Sequence, residues 1–185
     1  MSQPEQPKEP ESCTRRDTLL PDELVAAARS VIEANRAVGR TVALAESCTG
    51  GLVGAALTEI PGASDVFVAS LVAYSNDAKN ALLGVGDDIT GTFGSVSVAT
   101  AWAMARGMVE RSAADVAVAI TGIAGPDGGS AKKPVGTVIF AKAVKGGSHD
   151  DIVSDKRHFD DTGRGGVRLQ AALCALELLM PSEVP

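Results

Sequence analysis

The chain has 185 residues, of which 45% are hydrophobic but only 3% aromatic, and its formal net charge is −6. This length suits one well-buried domain of roughly 100–200 residues, whose core must be built from alanine, valine, leucine and isoleucine. The acidic balance argues against a general nucleic-acid surface, which needs a basic stripe to displace counterions from phosphates.

The cysteines Cys13, Cys48 and Cys174 are widely spaced and form no C-x-x-C pair. This spacing favours neither a disulfide framework nor a zinc site. No cluster of histidine, cysteine and acidic residues has metal-ligand spacing either, so we predict no metal. No segment approaches the roughly 20 apolar residues of a membrane span, and the N-terminus lacks the apolar core of a signal peptide. We therefore expect a soluble, cytoplasmic protein without a membrane partner.

Residues 1–19 are rich in proline, glutamate and glutamine and predict a disordered tail, because they have little apolar surface to bury. Apolar periodicity and capping residues then predict the remaining elements. The first half of the chain has a helix at 21–36, a strand at 42–45, a helix opened by Gly50 and Gly51, a strand at 66–75, and a helix capped by Ser75 or Asn76 and closed by Gly84. The second half has a loop at 85–94, a helix from Ser95 or Ser97 to Arg111, strands at 115–121, 135–144 and 151–159, and a helix at 163–179.

This alternation of helices and strands indicates a single three-layer α/β/α domain over residues 20–182, with a mixed central sheet. The apolar run at 66–75 is typical of a strand covered on both faces, and the last two strands are expected to form a hairpin across Gly146 and Gly147. In open α/β sheets, ligands bind outside the carboxyl ends of the strands. Three polar junctions are candidates for such ends, at 46–51, 74–79 and 121–129.

The first junction, E-S-C-T-G-G, offers a nucleophile and an anion site together. Ser47 would present its hydroxyl at the top of the sheet, while Thr49, Gly50 and Gly51 open a helix whose N-terminus favours negative charge. The alternative is structural, since serine and threonine are preferred helix N-caps. No P-loop lysine follows.

A serine nucleophile needs a base, and the two histidines are poor candidates. His149 lies in a predicted turn and His158 on the last strand, which disfavours a Ser-His-Asp triad. Lysine serves as the base in the Ser-Lys variant when burial lowers its pKa. Lys79 lies about one helical turn beyond Tyr74, so both could face the same junction; otherwise Lys79 is a solvated helix lysine.

The loop T-G-I-A-G-P-D-G-G at 121–129 could direct backbone N–H groups at a phosphate or a developing oxyanion, or could simply be an irregular turn. Arg164 and Arg168 lie four residues apart on the last helix. They could clamp a phosphate or carboxylate, although such pairs also occur on solvated faces.

Together, the segments ALAESCTGGLVGAALTEIPGAS, VAYSNDAKNALLGV and AVAITGIAGPDGGSAKKPVGTVIFA closely resemble the C-terminal domain family of the competence- and damage-inducible protein CinA, over residues 22–180. Members of that family are nicotinamide-nucleotide amidohydrolases, also called PncC or nicotinamide mononucleotide deamidases. The resemblance implies hydrolysis of the carboxamide of nicotinamide mononucleotide to nicotinate mononucleotide and ammonia, for pyridine-nucleotide recycling. It also implies a homodimer with no cofactor.

The roles of the family's site residues are transferred to the positions of this chain that match the family's motifs. The resemblance implies that Ser47 is the nucleophile, that Lys79 is the candidate base beside Tyr74, and that Thr121 or backbone N–H groups hold the oxyanion. The residues expected to bind substrate are Thr49, Gly50, Gly51, Gly122, Gly125, Arg164 and Arg168.

Two departures from the family pattern bear on substrate affinity. Thr162 and Gly163 stand where the family's G-D-R-x-x-V-R motif usually has its first glycine and its aspartate, although both arginines are present. Val98 stands where an acidic residue often follows G-x-V-S. An alternative reading is therefore a non-catalytic nucleotide-binding regulatory module. Phosphoryl transfer is disfavoured, because neither a P-loop nor a magnesium-binding acidic pair is evident.

Overall fold

A computed structural model describes residues 17–148, 153–160 and 163–181. Its helices and strands are, in chain order, α1 (Asp22–Ala37), β1 (Val42–Glu46), α2 (Leu52–Thr58), β2 (Phe67–Val72), α3 (Asn76–Leu83), α4 (Asp87–Phe93), α5 (Val98–Ser112), β3 (Val116–Gly122), β4 (Thr137–Val144), β5 (Val153–His158) and α6 (Gly163–Leu179). Most of the predicted tail, residues 1–16, lies outside the described residues, and the domain limits at 20 and 182 stay a prediction.

The five strands form one mixed sheet in the order β2-β1-β3-β4-β5. β1 lies parallel to both β2 and β3, whereas β4 pairs antiparallel with β3 and with β5. Helices α1, α2 and α6 cover one face and α5 covers the other. The predicted three-layer α/β/α class is therefore confirmed, as is the pairing of the last two strands, although residues 149–152 of their connection lie outside the described residues.

The two faces of the sheet carry side chains of different size. Alternate strand residues point to opposite faces, and those facing α1, α2 and α6 are large: Val42, Leu44, Val118, Ile120, Val138 and Phe140. Those facing α5 are mostly alanine: Ala43, Ala45, Ala117, Ala119, Ala141 and Ala143. The small side chains let α5 lie close to the sheet.

Helix α5 also makes a close backbone contact with α3. A Cβ atom placed on Gly107 of α5 would lie 1.9 Å from the carbonyl oxygen of Leu83, the last residue of α3. Only glycine leaves room for this approach. The position of α3, which carries Lys79, is thus fixed by α5.

Two predicted elements differ in the structure. β2 is the edge strand of the sheet, and Val68 and Val72 are exposed, so the prediction of a strand covered on both faces is wrong. Its apolar pattern arises because Phe67 packs in one core while Ala69 and Leu71 pack in the other.

The predicted loop at 85–94 is also wrong, because α4 occupies most of it. This helix begins with two aspartates, Asp87 and Asp88, which favour a helix N-terminus. Across the described ranges, no helix combines the length and the apolar character that a membrane crossing requires.

Candidate active site

Ser47 follows directly on the carboxyl end of β1, where it is tied to the neighbouring strand. Its backbone N–H donates to the carbonyl oxygen of Ile120 at 3.0 Å, which extends the pairing of β1 with β3 by one residue. Gly50 and Gly51 then adopt φ values of 62° and 90°, a left-handed conformation that favours glycine. The chain can therefore turn sharply into α2 with Ser47 at the mouth of a cavity.

The N-terminus of α2 is occupied by a side chain of the protein itself. The fully buried carboxylate of Glu46 accepts from the backbone N–H groups of Gly51 and Gly54, both at 2.9 Å, from that of Val53 at 3.3 Å, and from the Ser70 hydroxyl at 2.9 Å. A helix N-terminus attracts an anion, and here that anion is internal. The expected anion site at this turn is thus filled by the protein.

Neither Ser47 nor Thr49 caps α2, so the structural alternative for these residues is wrong as well. Thr49 is fully buried, and no described residue lies within hydrogen-bonding distance of its hydroxyl. Its carbonyl oxygen accepts from Arg168 Nη2 at 2.8 Å. The cavity beside Ser47 is not lined by Thr49, Gly50, Gly51 or Arg168. These four residues form the turn or bond to it, and their expected role in substrate binding stays a prediction.

Lys79 reaches the same cavity from α3. Ser75 caps this helix by accepting from the Ala78 backbone N–H at 3.0 Å, and Gly84 closes it in the left-handed conformation, both as predicted. Lys79 Nζ lies 3.3 Å from Ser47 Oγ and 3.2 Å from the carbonyl oxygen of Tyr74. The Lys79 side chain is only 1% exposed, which excludes the alternative of a solvated lysine. Burial lowers the pKa of its ammonium group.

Thr121 lies near the end of β3, is 1% exposed and lines the cavity with Ser47 and Lys79. Its hydroxyl donates to the carbonyl oxygen of Ser95 at 2.8 Å. A hydroxyl has one proton to donate, so the expected role of Thr121 as an oxyanion donor is not available in this arrangement. Ser95 is itself tied to α3, because its hydroxyl lies 2.7 Å from the Asn76 side-chain oxygen.

The loop after β3 has backbone donors that remain open. No described residue accepts a hydrogen bond from the backbone N–H groups of Ala124, Gly125, Asp127 or Gly128, and all four residues line the cavity. Gly122 lines it too. The expectation that Gly122 and Gly125 contribute to ligand binding is therefore consistent with their positions.

Arg164 closes the rim of this cavity from the first turn of α6. Its guanidinium donates through Nη1 to the carbonyl oxygen of Gly125 at 2.8 Å and through Nη2 to the Tyr74 hydroxyl oxygen at 3.0 Å. Tyr74 is 60% exposed, so it is a rim residue and not a buried one. Arg164 thus connects the predicted junction at 74–79 with the one at 121–129. Thr162, which departs from the family motif, lies outside the described residues.

The resulting cavity has a volume of about 240 Å³. Its lining residues are Ser47, Cys48, Tyr74, Lys79, Ser95, Val96, Thr121, Gly122, Ile123, Ala124, Gly125, Asp127, Gly128 and Arg164. Burial raises the pKa of the Cys48 thiol to about 11. A thiol of that pKa is protonated near neutrality and does not compete with Ser47 as nucleophile.

Other candidate positions do not join this site. His158 lies on β5 and does not line the cavity, and His149 lies outside the described residues. Within the described ranges, no three histidine, cysteine or acidic side chains come together as a metal site would require. A cavity of about 230 Å³ lies between α5 and the end of β4, but Arg106 there already pairs with Glu110 at 2.7 Å.

Sequence reasoning missed the roles of Glu46 and Ser95. The sequence analysis places Glu46 in the first polar junction without a role of its own, although an acidic residue just before a glycine-opened helix is a recognisable signal for a helix N-terminus. Ser95 was considered only as a helix cap, and the cap of α5 is Ser97. The role of Ser95 depends on its backbone carbonyl, for which the sequence carries no signal.

Comparison with known proteins identifies the family. A family model described as the CinA C-terminal domain matches residues 25–182. The chain belongs to this family. It is 48% identical to a protein of Enterobacter agglomerans named nicotinamide-nucleotide amidohydrolase PncC, over 77% of this chain and 84% of that protein. The resemblance recognised from the three sequence motifs is thus confirmed.

Solved structures of the CinA superfamily share the fold. A protein of Agrobacterium tumefaciens described as competence/damage inducible protein CihA superimposes with a TM-score of 0.82 at 46% identity, over 88% of this chain and 96% of that one. Longer relatives also exist. The putative competence-damage inducible protein of Symbiobacterium thermophilum is 55% identical over 58% of this chain, which spans only 25% of that relative's length.

Proposed function

We propose that this CinA-family chain hydrolyses the carboxamide of nicotinamide mononucleotide, with Ser47 as nucleophile and Lys79 as general base. The observation that carries the proposal is the 3.3 Å approach of Lys79 Nζ to Ser47 Oγ inside a cavity. The name of the Enterobacter agglomerans relative supports the choice of substrate. The homodimer, the cytoplasmic location and the role in pyridine-nucleotide recycling stay predictions.

The environment of Lys79 favours a neutral amine. Burial lowers its pKa, and among the described residues one carbonyl oxygen, that of Tyr74, is bonded to it and needs one N–H donor. A neutral amine can donate to Tyr74 and direct its lone pair at the Ser47 hydroxyl proton. Lys79 is therefore suited to take that proton without any rearrangement.

The reaction then proceeds in two halves. Ser47 Oγ bonds to the amide carbon as its proton passes to Lys79, and the carbonyl electrons move to oxygen. Collapse of this tetrahedral intermediate breaks the C–N bond while Lys79 returns the proton to nitrogen, so that ammonia leaves. Water next gives a proton to Lys79 and attacks the acyl carbon. The acyl C–O bond breaks, Ser47 regains its proton and nicotinate mononucleotide is released.

Backbone N–H groups supply the electrostatic stabilisation. Cys48 immediately follows the nucleophile and lines the cavity, and among the described residues its backbone N–H bonds to no residue other than its own thiol sulfur. This N–H is the candidate oxyanion donor, because such donors act where the negative charge develops. The nucleotide phosphate is assigned to the open N–H groups of residues 124, 125, 127 and 128 and to Arg164.

The test is ammonia release from nicotinamide mononucleotide by the wild-type protein and by Ser47→Ala. We expect release by the wild type and a loss of kcat of at least about 10⁴-fold in Ser47→Ala, as for other serine nucleophiles, with nucleotide binding retained. Ser30→Ala is the matched control, since Ser30 is exposed on α1 and bonds only within that helix.

A correctly folded Ser47→Ala protein that still turned over would exclude Ser47 as the nucleophile. Saturable nucleotide binding by a wild-type protein that releases no ammonia would instead support the regulatory-module alternative. Free nicotinamide should be a poor substrate, because it cannot use the phosphate contacts that position the amide.

A further inference from the structure

Besides the exposed carboxylate of Asp127, the cavity offers a ligand mainly hydrogen-bond donors. These are the Lys79 amine, the Arg164 guanidinium and the open backbone N–H groups of the loop after β3. Thr121 differs from them. Its hydroxyl partner is the Ser95 carbonyl oxygen, which can only accept, so the direction of this hydrogen bond is fixed by chemistry. Thr121 Oγ1 therefore has only lone pairs left for a ligand.

Thr121 also lies beside the nucleophile. Ala45 of β1 and Ala119 of β3 are in register and face the same core. Side chains two residues apart on a strand share a face, so Ser47 and Thr121 point to the same side of the sheet, and both line the cavity. A group undergoing attack by Ser47 would therefore lie close to an oxygen that can only accept.

We infer that Thr121 makes the enzyme selective for an amide over the corresponding acid, by accepting a hydrogen bond from the carboxamide N–H. This inference rests on the proposed function. A carboxamide has two N–H donors, whereas a carboxylate has none. When the amide oxygen accepts from the Cys48 N–H, the amide nitrogen lies on the other side of the reacting carbon. Its N–H groups need a hydrogen-bond acceptor there.

The same arrangement assists product release. As the C–N bond breaks, the departing ammonia still has N–H groups to donate to Thr121. After hydrolysis, a carboxylate oxygen occupies that position and faces the lone pairs of Thr121. Two acceptors in contact repel each other, so nicotinate mononucleotide binds less tightly than the substrate.

The test measures equilibrium binding in a Ser47→Ala background, in which no turnover occurs. Dissociation constants for nicotinamide mononucleotide and nicotinate mononucleotide are determined by calorimetry at one pH. We expect the amide to bind at least about tenfold more tightly than the acid, the typical effect of one matched against one mismatched polar contact. Adding Thr121→Val should bring the ratio of the two constants close to one.

Two variants serve as controls. Thr121→Ser keeps the hydroxyl and should preserve the ratio. Thr100→Val removes another buried threonine hydroxyl, which donates to the Gly94 carbonyl oxygen at 2.8 Å and does not line the cavity. It carries a similar structural cost and should also preserve the ratio. A ratio unchanged by Thr121→Val would overturn the inference and leave the proposed function intact.

A second measurement avoids altering Thr121 at all. The methyl-ketone analogue of the substrate keeps the carbonyl oxygen but has no N–H, so the Ser47→Ala protein should bind it about tenfold more weakly than the amide. Equal binding of ketone and amide would contradict the inference. Failure to bind any of these nucleotides, together with no ammonia release by the wild type, would instead remove the proposed function and this inference with it.

Discussion

Two glycine-rich turns flank the cavity, and they use their backbone donors in opposite ways. At the turn after β1, the N–H groups of Gly51, Val53 and Gly54 are bonded to the Glu46 carboxylate. At the loop after β3, the N–H groups of residues 124, 125, 127 and 128 have no acceptor among the described residues. The first turn is closed by the protein, and the second is open to a ligand.

The difference lies in the neighbouring side chains and not in the glycines. Glu46 is buried at the end of a strand, and its partners among the described residues are the helix N-terminus and Ser70. The loop after β3 carries Asp127, but this residue is exposed. A glycine-rich turn is thus an anion site only where no acidic side chain of the same segment is buried against it. The closed turn carries Ser47, and the open loop lines the cavity with N–H donors that no described residue uses.

After the loss of Ser47 itself, the largest effect is expected at Lys79, which bonds to the closed turn through Ser47. Lys79→Met retains most of the side-chain volume and should reduce kcat by about 10³-fold or more, because the proton acceptor is lost. The thermal midpoint at neutral pH should not fall, since a buried amine, whose desolvation opposes burial, is replaced by an apolar group of similar volume. Lys132→Met, at an exposed lysine, is the control for kinetics and melting. A fully active Lys79→Met protein would remove Lys79 as the base.

The pH dependence gives the next effect. A base must be unprotonated, and burial lowers the pKa of Lys79 from 10.5. Activity should therefore rise with pH, with a midpoint below 10.5, and the residual activity of Lys79→Met should lack this rise. Between the folded and unfolded pKa values the unfolded chain binds more protons, so the Lys79 contribution to stability also increases with pH across that window. A falling pH–rate profile over that range would contradict the assignment.

The closed turn can be broken at Glu46. Glu46→Ala leaves three backbone N–H groups and the Ser70 hydroxyl without their acceptor, and we expect a loss of about 2–4 kcal/mol in the free energy of unfolding. Glu46→Gln keeps one acceptor oxygen and should lose less. Urea unfolding measures both variants. Equal stability of Glu46→Ala and wild type would show that the carboxylate does not hold the turn.

The smallest effects are expected for the two arginines of α6, because one bonds to the open loop and the other to the closed turn. Arg164 serves the open loop, so Arg164→Ala should raise KM for nicotinamide mononucleotide about tenfold, with little effect on nicotinamide riboside, which has no phosphate. Arg168 bonds to the closed turn, so Arg168→Ala should leave KM within about twofold and cost about 1 kcal/mol of stability. Steady-state kinetics with both substrates distinguishes the roles, and a reversed pattern would exchange them.

Much of the fold could be predicted from the sequence, because its signals are local. Apolar periodicity placed α1 and α6, while Ser75 and Gly84 bounded α3 through their capping chemistry. The prediction failed for β2, since an apolar run does not reveal whether a strand lies at the centre or the edge of a sheet. It failed for α4 because a short helix rich in glycine and threonine resembles a loop.

The features of the candidate site can also be separated into those that the sequence predicted and those that it did not. The pairing of Ser47 with Lys79 was expected from residue chemistry and from the family motifs, and the structure places the two side chains in contact. The sequence did not predict that Glu46 occupies the N-terminus of α2, nor did it predict the direction of the Thr121 hydrogen bond. Both depend on which atoms meet across the sheet, and the sequence alone does not show whether a glutamate is buried or solvated.

The alanine-covered face of the sheet has a consequence for protein engineering. Directed evolution toward bulkier amides would enlarge or reshape the cavity, and Ala119 lies two residues before Thr121 on the strand beneath it. A larger side chain there would push α5 outward, and through Gly107 that displacement would pass to α3 and to the amine of Lys79. Libraries for altered substrate range should therefore leave this face unchanged.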